Sequence, residues 1–353
     1  MIEDNYDVAI VGSGVSGLLA ASEILRIRPQ TSLIVLERNS TIGGRARVVS
    51  VSSPFDLGGC WTWGGDPNLN ALLKRLNISK FCQPQEGLDV IVDSPVSKRT
   101  IDTFGQLIAC GPGGHRISGG LGGVAAALCR EVEHLGGMVR TNTTVTKISS
   151  MVSKLRVSAS TPIRPISINA RFVLIAAPPQ LVASKIEFDP PIPKAQRETM
   201  KATQTWMAKT GKAIAVYQSP WWKNFNLSLC STGTSRVHGV IDITWDNSDY
   251  SEGKFAIGMF VQQSATTEKV KEELKQIFEN APEPTDVVVK IWDDIGLSGV
   301  RDGTESYGSE ILRESVCDSR CLFGGTETEN EHGHVEGAVL SGIRSSKRIL
   351  KLL

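Results

Sequence analysis

The sequence predicts an α/β chain: a doubly wound, mostly parallel sheet with a second, mixed sheet inserted into it. Three observations carry this expectation. An apolar run, "VAIVGSGVSGLLAA" (8–21), passes through Gly12, Gly14 and Gly17 into a helical pattern. A second run, "FVLIAAPP" (172–179), is apolar throughout, and a third, "RCLFGGTE" (320–327), ends in glycines. Continuous apolar stretches of this length read as strands buried on both faces, as helix-covered parallel sheets require. Because the three runs lie at the start, middle and end of the chain, the second sheet is inserted rather than appended.

The elements follow in order. Residues 6–12 read as the first strand, 15–27 as a helix stopped by Pro29, and "SLIVLE" (32–37) as the second strand. Together they form a βαβ unit of the length expected for nucleotide binding. "DPNLNALLKRLNI" (66–78) is a helix with an Asp-Pro start. Residues 83–110 alternate in short strand-like pieces, and 119–137 form a helix between glycines. "MVRTNTTVTKI" and "RFVLIAAPP" are further strands, the second of them central. From residue 186 to 290 prolines, tryptophans and mixed strands dominate, with one amphipathic helix at 267–279. A last helix closes the chain at 335–353. The expected division is 1–62, 112–185 and 290–353 for the nucleotide unit, and 63–111 with 186–289 for the substrate unit.

Composition narrows the function classes. Thirty-eight Lys and Arg against 37 Asp and Glu leave a formal charge of +1 in 353 residues. A nucleic-acid or anionic-membrane partner would require a basic excess. The apolar runs are too short to span a bilayer. The seven cysteines are scattered without CxxC or zinc spacing, so no metal site is expected. No charged-then-apolar leader precedes Tyr6, and the expectation is reduced thiols in the cytoplasm. Homo-oligomerisation is left open.

The glycines have separate tasks. Gly12 permits the tight turn, Gly14 lets the backbone approach a pyrophosphate, and Gly17 lets helix and strand pack closely. Val15 and Ser16 start the helix whose dipole favours the phosphate charge. Glu37, 20 residues after Gly17, is placed to accept from ribose hydroxyls, with Arg38 beside it. The fingerprint alone leaves NAD and FAD open. "IGGRAR" (42–47) adds Gly44, which lets the backbone pass close to a cofactor, and Arg45, whose guanidinium can fork onto phosphate or ribose oxygens.

This second motif resembles the FAD signature of the flavoprotein amine oxidases, and the resemblance runs along the whole chain. "DLGGCWTWGG" resembles the stretch that wraps the flavin, which implies contacts from Gly58, Gly59, Cys60 and Trp61. "TTVTKI" resembles the strand whose valine, here Val145, meets the adenine. "TWMAKTGKAIAVYQSPWWKN" resembles the block that carries an active-site lysine, here Lys212. "LFGGTETENEHGHVEGAVLSGIRSSKRIL" resembles the C-terminal signature, implying cofactor contacts from Gly325, Glu327 and Val335. The chain is identified on these motifs as a member of the flavin-containing monoamine oxidase family, in a shortened form. The implied fold is the FAD/NAD(P)-binding Rossmann-like one.

The resemblance implies FAD-dependent oxidation of a small-molecule amine by O2, giving an imine or aldehyde and H2O2. Lys212 is the catalytic candidate. "KAIAVY" reads as an alternating strand, so Lys212 should share a face with Ile214 and Val216. Trp292 and His334 are the substrate-side candidates. His334 stands where the family has a cage tyrosine, and Asp294 stands where some members tether the flavin through cysteine, so non-covalent FAD is expected. The seven tryptophans are otherwise assigned to packing. The missing length falls between Trp63 and Gly119, where the family carries much of a helical cap. Two alternatives stay open: another flavin-dependent oxidase or desaturase, and a catalytically silent flavin-binding interaction module.

Overall fold

Val8 to Val11 has no polar side chain, and its residues divide between two cores. Val8 and Ile10 pack with Ala20, Ile24, Leu174 and Ile349, whereas Ala9 and Val11 pack with Val173, Ile175 and Phe323. A strand with apolar neighbours on both faces belongs in the middle of a sheet, and the computed structural model places it there. The structure describes residues 4–50, 54–63, 65–94, 97–102, 114–205, 210–232, 239–292, 307–330 and 334–353.

The first sheet is built around β1 (Asp4–Val11), paired in parallel with β2 (Leu33–Leu36) on one side and β12 (Ile166–Ile175) on the other. β9 (Met138–Arg140) extends it beyond β2, also in parallel. The long β12 serves two partners. Its first half pairs antiparallel with β11 (Leu155–Ser160), and its last residues pair in parallel with β19 (Cys321–Phe323). β10 (Thr144–Ser150) and β13 (Glu187–Asp189) complete the outer edge. Helices α1 (Val15–Ile27), α3 (Gly120–His134) and α7 (Val335–Leu352) share one side's cores with α2 (Pro67–Arg75). On the other side, α4 (Pro179–Lys185) and α5 (Lys194–Ala202) contribute Val182, Ala183 and Met200.

The second sheet runs β18 (Asp286–Lys290), β14 (Gly211–Tyr217), β17 (Phe255–Val261), β16 (Ile241–Asp246), β15 (Leu227–Thr232), β6 (Leu88–Ser94) and β7 (Ser97–Ile101). Helix α6 (Thr267–Ile277) covers it through Val270, Leu274 and Ile277. Two short ribbons lie apart from these sheets: β3 (Val48–Ser50) with β4 (Pro54–Asp56), and β5 (Lys80–Cys82) with β8 (His115–Ile117). Phe55 of β4 and Leu57 just after it reach Ile214, Val216 and Ala256 of the second sheet, so the two units meet on an apolar contact.

Two sequence expectations change. β13 falls inside the stretch assigned to the substrate unit, yet it pairs in parallel with β10 of the first sheet. α2 likewise buries Leu69, Leu72 and Leu73 among α1 and α3, because its apolar stripe finds its partner there. β14 keeps its alternation, with Lys212 on the parity of Ile214 and Val216, but neither face is exposed. All seven residues are buried, since α6's core takes Ala213, Ala215 and Tyr217 while β4 takes Ile214 and Val216. Among the described residues no helix is long and apolar enough to cross a membrane.

Two glycines hold the first turn together. Gly12 has φ +105°, a conformation that side chains resist, and a Cβ on Gly17 would lie 2.1 Å from the Gly12 carbonyl oxygen. A Cβ on Gly14 would meet nothing within 4 Å. Gly17→Ala is therefore expected to lower the unfolding free energy by about 1–3 kcal/mol through overpacking. Gly14→Ala should change it by less than about 1 kcal/mol, the scale of a glycine-to-alanine change at a helix N-cap. Urea unfolding of the two variants checks the ranking.

Candidate active site

The helix start at Gly14 has the features of an anion seat. Gly14 is the N-cap of α1 and gives no side-chain cap, so the first-turn amides are not satisfied by a side chain. The backbone of Gly14 forms a parallel bridge to Gly43, and Gly43 N donates to Ser13 O at 2.9 Å. This brings "IGGRAR" alongside the fingerprint turn. Gly44 follows with φ +57°, its Cβ position 3.5 Å from Gly14 Cα. The open space over Gly14 and the free amides fit a phosphate group. Val15 and Ser16 are buried behind this turn, and Ser16 Oγ hydrogen-bonds Ser341 Oγ of α7 at 3.1 Å.

Glu37 follows β2 directly and is buried. Its Oε2 accepts from Ser13 N at 3.0 Å and Ser13 Oγ at 2.8 Å, and its Oε1 accepts from Asn39 N and Nδ2, both at 2.8 Å. Four donors, two to each oxygen, fill the acceptor sites of the carboxylate and fix it in place. Thr143 N donates to the Glu37 carbonyl at 2.7 Å, which brings the start of β10 and the buried Val145 close by. Arg38 is exposed.

Arg45 is tied to the C-terminal segment. Its Nη1 donates to Glu327 Oε1 at 2.5 Å and its Nη2 to Oε2 at 3.1 Å, a bidentate pair spanning 282 residues of sequence. Glu327 is fully buried in a short 3-10 turn, and Thr205 Oγ1 lies 3.4 Å from its Oε1. Burial opposes the charge on Arg45, but the Glu327 carboxylate outweighs it and raises the guanidinium above its usual value. The sequence assigned Glu327 directly to the cofactor; here its carboxylate holds Arg45. Gly325 precedes the turn with φ +110°, and its N–H donates to Ser341 Oγ at 2.8 Å.

Lys212 completes the constellation. It is 2% exposed, and its Nζ donates to Gly58 O at 3.0 Å. The next residue, Gly59, donates its N–H to Arg45 O at 3.1 Å, and its Cβ position lies 3.7 Å from Val335 Cγ2 at the start of α7. Arg45, Gly58, Gly59, Lys212, Glu327 and Val335 thus come from five separate stretches and meet in one place. Cys60 is buried against Cys230 and Trp245, and Trp61 packs beside them. Trp61 Nε1 donates to Gln83 Oε1 at 2.9 Å, and Gln83 Nε2 donates to Asp246 O at 2.6 Å.

The substrate-side candidates are more peripheral. Trp292 is half-buried between two cations, with the Arg47 guanidinium 5.9 Å and the Lys290 ammonium 5.6 Å from its ring centroid. His334 is the N-cap residue of α7; its carbonyl accepts from Thr326 Oγ1 at 2.9 Å, and its side chain is exposed. Asp294 and Trp206 lie outside the described residues. Trp221, Trp222 and Trp245 are buried in apolar clusters, as packing residues should be.

Two acids escaped the sequence reading. Asp56, in "FDLGG", accepts from Leu121 N at 2.9 Å at the start of α3 and lies 3.7 Å from Arg116 Nη2. Burial pushes its carboxyl up, against the pull of Arg116 and Lys212. Glu336 accepts from Asn68 N and Nδ2 and from Leu69 N, so it caps α2 from a distant helix. An acid inside an otherwise apolar or glycine-rich run was the available signal for Asp56.

Comparison with known proteins supplies the family. The profile described as "Flavin containing amine oxidoreductase" matches residues 90–350, and one described as "NAD(P)-binding Rossmann-like domain" matches 10–76. A probable flavin-containing monoamine oxidase A from Dictyostelium discoideum is 24% identical across 98% of this chain and 97% of its own length. That alignment runs over 453 positions, against 353 residues here, so the relative carries long insertions. Flavin-containing amine oxidase B from Homo sapiens is 30% identical over 205 residues, covering 51% of this chain and 38% of that protein. Among solved structures, putrescine oxidase bound to putrescine superposes with TM-score 0.78 at 19% identity over 98% of this chain and 99% of that one. Cyclohexylamine oxidase from Brevibacterium oxydans gives 0.77 at 18% over 98% and 99%; both likenesses speak to the fold. With the profile match spanning most of its length and the Arg45–Glu327 and Lys212 constellation in place, this chain belongs to the flavin-containing amine oxidoreductase family.

Proposed function

We propose that the protein holds FAD non-covalently along the face from Gly14 to Lys212 and oxidises a small-molecule amine, with O2 as electron acceptor and H2O2 as product. The observation that carries this reading is Lys212: a buried ammonium set by a hydrogen bond onto the glycine segment that also carries Arg45's neighbour Gly59. Bound FAD would supply acceptance of hydride from the carbon beside the amine nitrogen and delivery of the electrons to O2.

The chain's own residues do the rest. Gly14 and the first-turn amides of α1 seat the pyrophosphate, with Val15 and Ser16 behind them. Glu37, held by Ser13 and Asn39, accepts from a ribose hydroxyl in place of the Ser13 hydroxyl, which is free to rotate away, and Val145 packs on the adenine side. Gly44, Arg45 and Gly325 line the passage toward the flavin end, where Gly58, Gly59, Cys60 and Trp61 form one wall. The amides at Val335 face the pyrimidine edge of the ring. Lys212 places a positive charge where negative charge develops, in a site from which water is largely excluded. Trp292 and His334 border the amine, and the division is a nucleotide unit extended by α2 and β13 with a substrate unit carried on the second sheet.

Four outcomes follow from these roles. FAD should leave intact on acid denaturation, with the yellow chromophore recovered in the supernatant rather than the washed pellet. Lys212→Met should slow O2-dependent reoxidation of the pre-reduced protein by roughly a hundredfold while FAD stays bound, as loss of a preorganised charge does; stopped-flow absorbance measures it. Glu37→Gln should weaken FAD binding by about 1–2 kcal/mol without unfolding the protein. Arg45→Ala should instead cost about 3 kcal/mol of folding stability, because it strands the fully buried Glu327. Titration of FAD into the apoprotein, alongside urea unfolding, separates these two variants.

A further inference from the structure

The charge on Lys212 sits in an apolar wall. Its neighbours across the strand ladder are Phe260 on β17 and Lys290 on β18. Directly opposed residues project to the same face, so a second cation stands on that side rather than an acid. The nearby buried carboxylate, Asp56, feels the charges of both Arg116 and Lys212, but it contacts Arg116 at 3.7 Å and the start of α3, and it forms no ion pair with Lys212. What lies against the Lys212 ammonium is aromatic. Its Nζ is 5.1 Å from the ring centroid of Trp245 and 5.8 Å from that of Trp61. The two indoles are 4.8 Å apart at 57°, and Phe260 packs against both, at 4.9 Å from Trp245 and 5.9 Å from Trp61.

The sheet is shaped to allow this contact. Trp245 lies on β16 and must cross β17 to reach β14. Its partner on β17 is Gly258, where a Cβ would fall 2.4 Å from the indole ring. The missing side chain leaves a lane through which the indole extends to Lys212. Trp245 is fully buried, and its Nε1 donates to Asn247 Oδ1 at 3.0 Å, which fixes the ring.

We propose that Trp245, together with Trp61, is a positioning residue for Lys212: the two indole faces hold the ammonium over the Gly58 carbonyl by cation–π attraction. The inference rests on the role given to Lys212 above and adds what places it. An ammonium removed from water, with no carboxylate in ion-pair contact among the described residues, gains most from an aromatic face. The polar edge of each indole is turned away to its own acceptor, Asn247 for Trp245 and Gln83 for Trp61, so the faces are left for the cation.

The test uses the protein as purified, labelled with [ε-13C]lysine. Ring currents should move one lysine ε-methylene resonance upfield of all the others, and Lys212→Met should delete that resonance. Trp245→Phe should shift it part of the way back, and Trp245→Leu should return it to the envelope. Gly258→Ala, which displaces the indole while keeping it, should also move it back, so the test survives if Trp245→Leu does not fold. In stopped-flow reoxidation, Trp245→Leu should slow the reaction roughly three- to tenfold, the scale of a desolvated cation–π contact. It should have no further effect in the Lys212→Met background. Absence of the shifted lysine signal, or a shifted signal indifferent to Trp245 and Gly258, overturns the inference, as does equal slowing in both backgrounds. A Trp245-dependent signal combined with unchanged reoxidation in Lys212→Met sinks the role proposed for Lys212 and leaves the indole clamp standing.

Discussion

The pairing of Arg45 with Glu327 is the constraint on which the rest of the site depends. Glu327 is completely buried, and a buried carboxylate without its partner costs several kcal/mol. Meeting that demand brings the turn after the second strand onto the segment after the last one. Once Arg45 is placed, its carbonyl receives the amide of Gly59, which sets the glycine segment, and Gly58 in turn receives Lys212. A single ion pair therefore fixes the order of contacts from the fingerprint turn to the second sheet.

That chain of contacts also explains why the two units share one face. β4 threads between them. Its Phe55, and Leu57 just after it, enter the apolar contact with β14, while Asp56 between them turns to Arg116 and the start of α3. Alternation along a strand is what permits this division, with period two separating apolar from charged neighbours. The elements that insert the second sheet are thus held by packing on one side of β4 and by charge on the other. Glu336 adds a further tie by closing the end of α2 from α7.

Much of this was legible in the residues. The fingerprint glycines announced both the turn and the close approach, because Gly12 and Gly17 leave no room for alternatives. Strands with continuous apolar runs were recognisable, since burial on both faces needs that pattern. β14 was harder. The alternation placed Lys212 with Ile214 and Val216, but it did not show that this face is covered; the segment 55–57, from another unit, covers it. β13 and α2 were placed with the wrong unit for the same reason: a three-residue edge strand and an amphipathic stripe do not name their partner. Asp56 and Trp245 were read as ordinary members of their segments. Their meaning comes from contacts across strands and units, which no local window contains.

The environment of Lys212 follows from this junction. Where two apolar units close on each other, water is thinned and charges act over longer distances than at a surface. Among the described residues there, each ion has a neighbour of its own. Glu327 faces Arg45, Asp56 faces Arg116, and Lys212 faces a carbonyl and two indoles. A carboxylate as the partner of Lys212 would cancel its field, whereas a carbonyl and aromatic faces steady the ammonium and leave its net charge intact. That choice of neighbours makes the lysine useful as a positive charge directed at a ligand in the adjoining groove, and it accounts for a tryptophan on β16 being carried across a glycine to reach it.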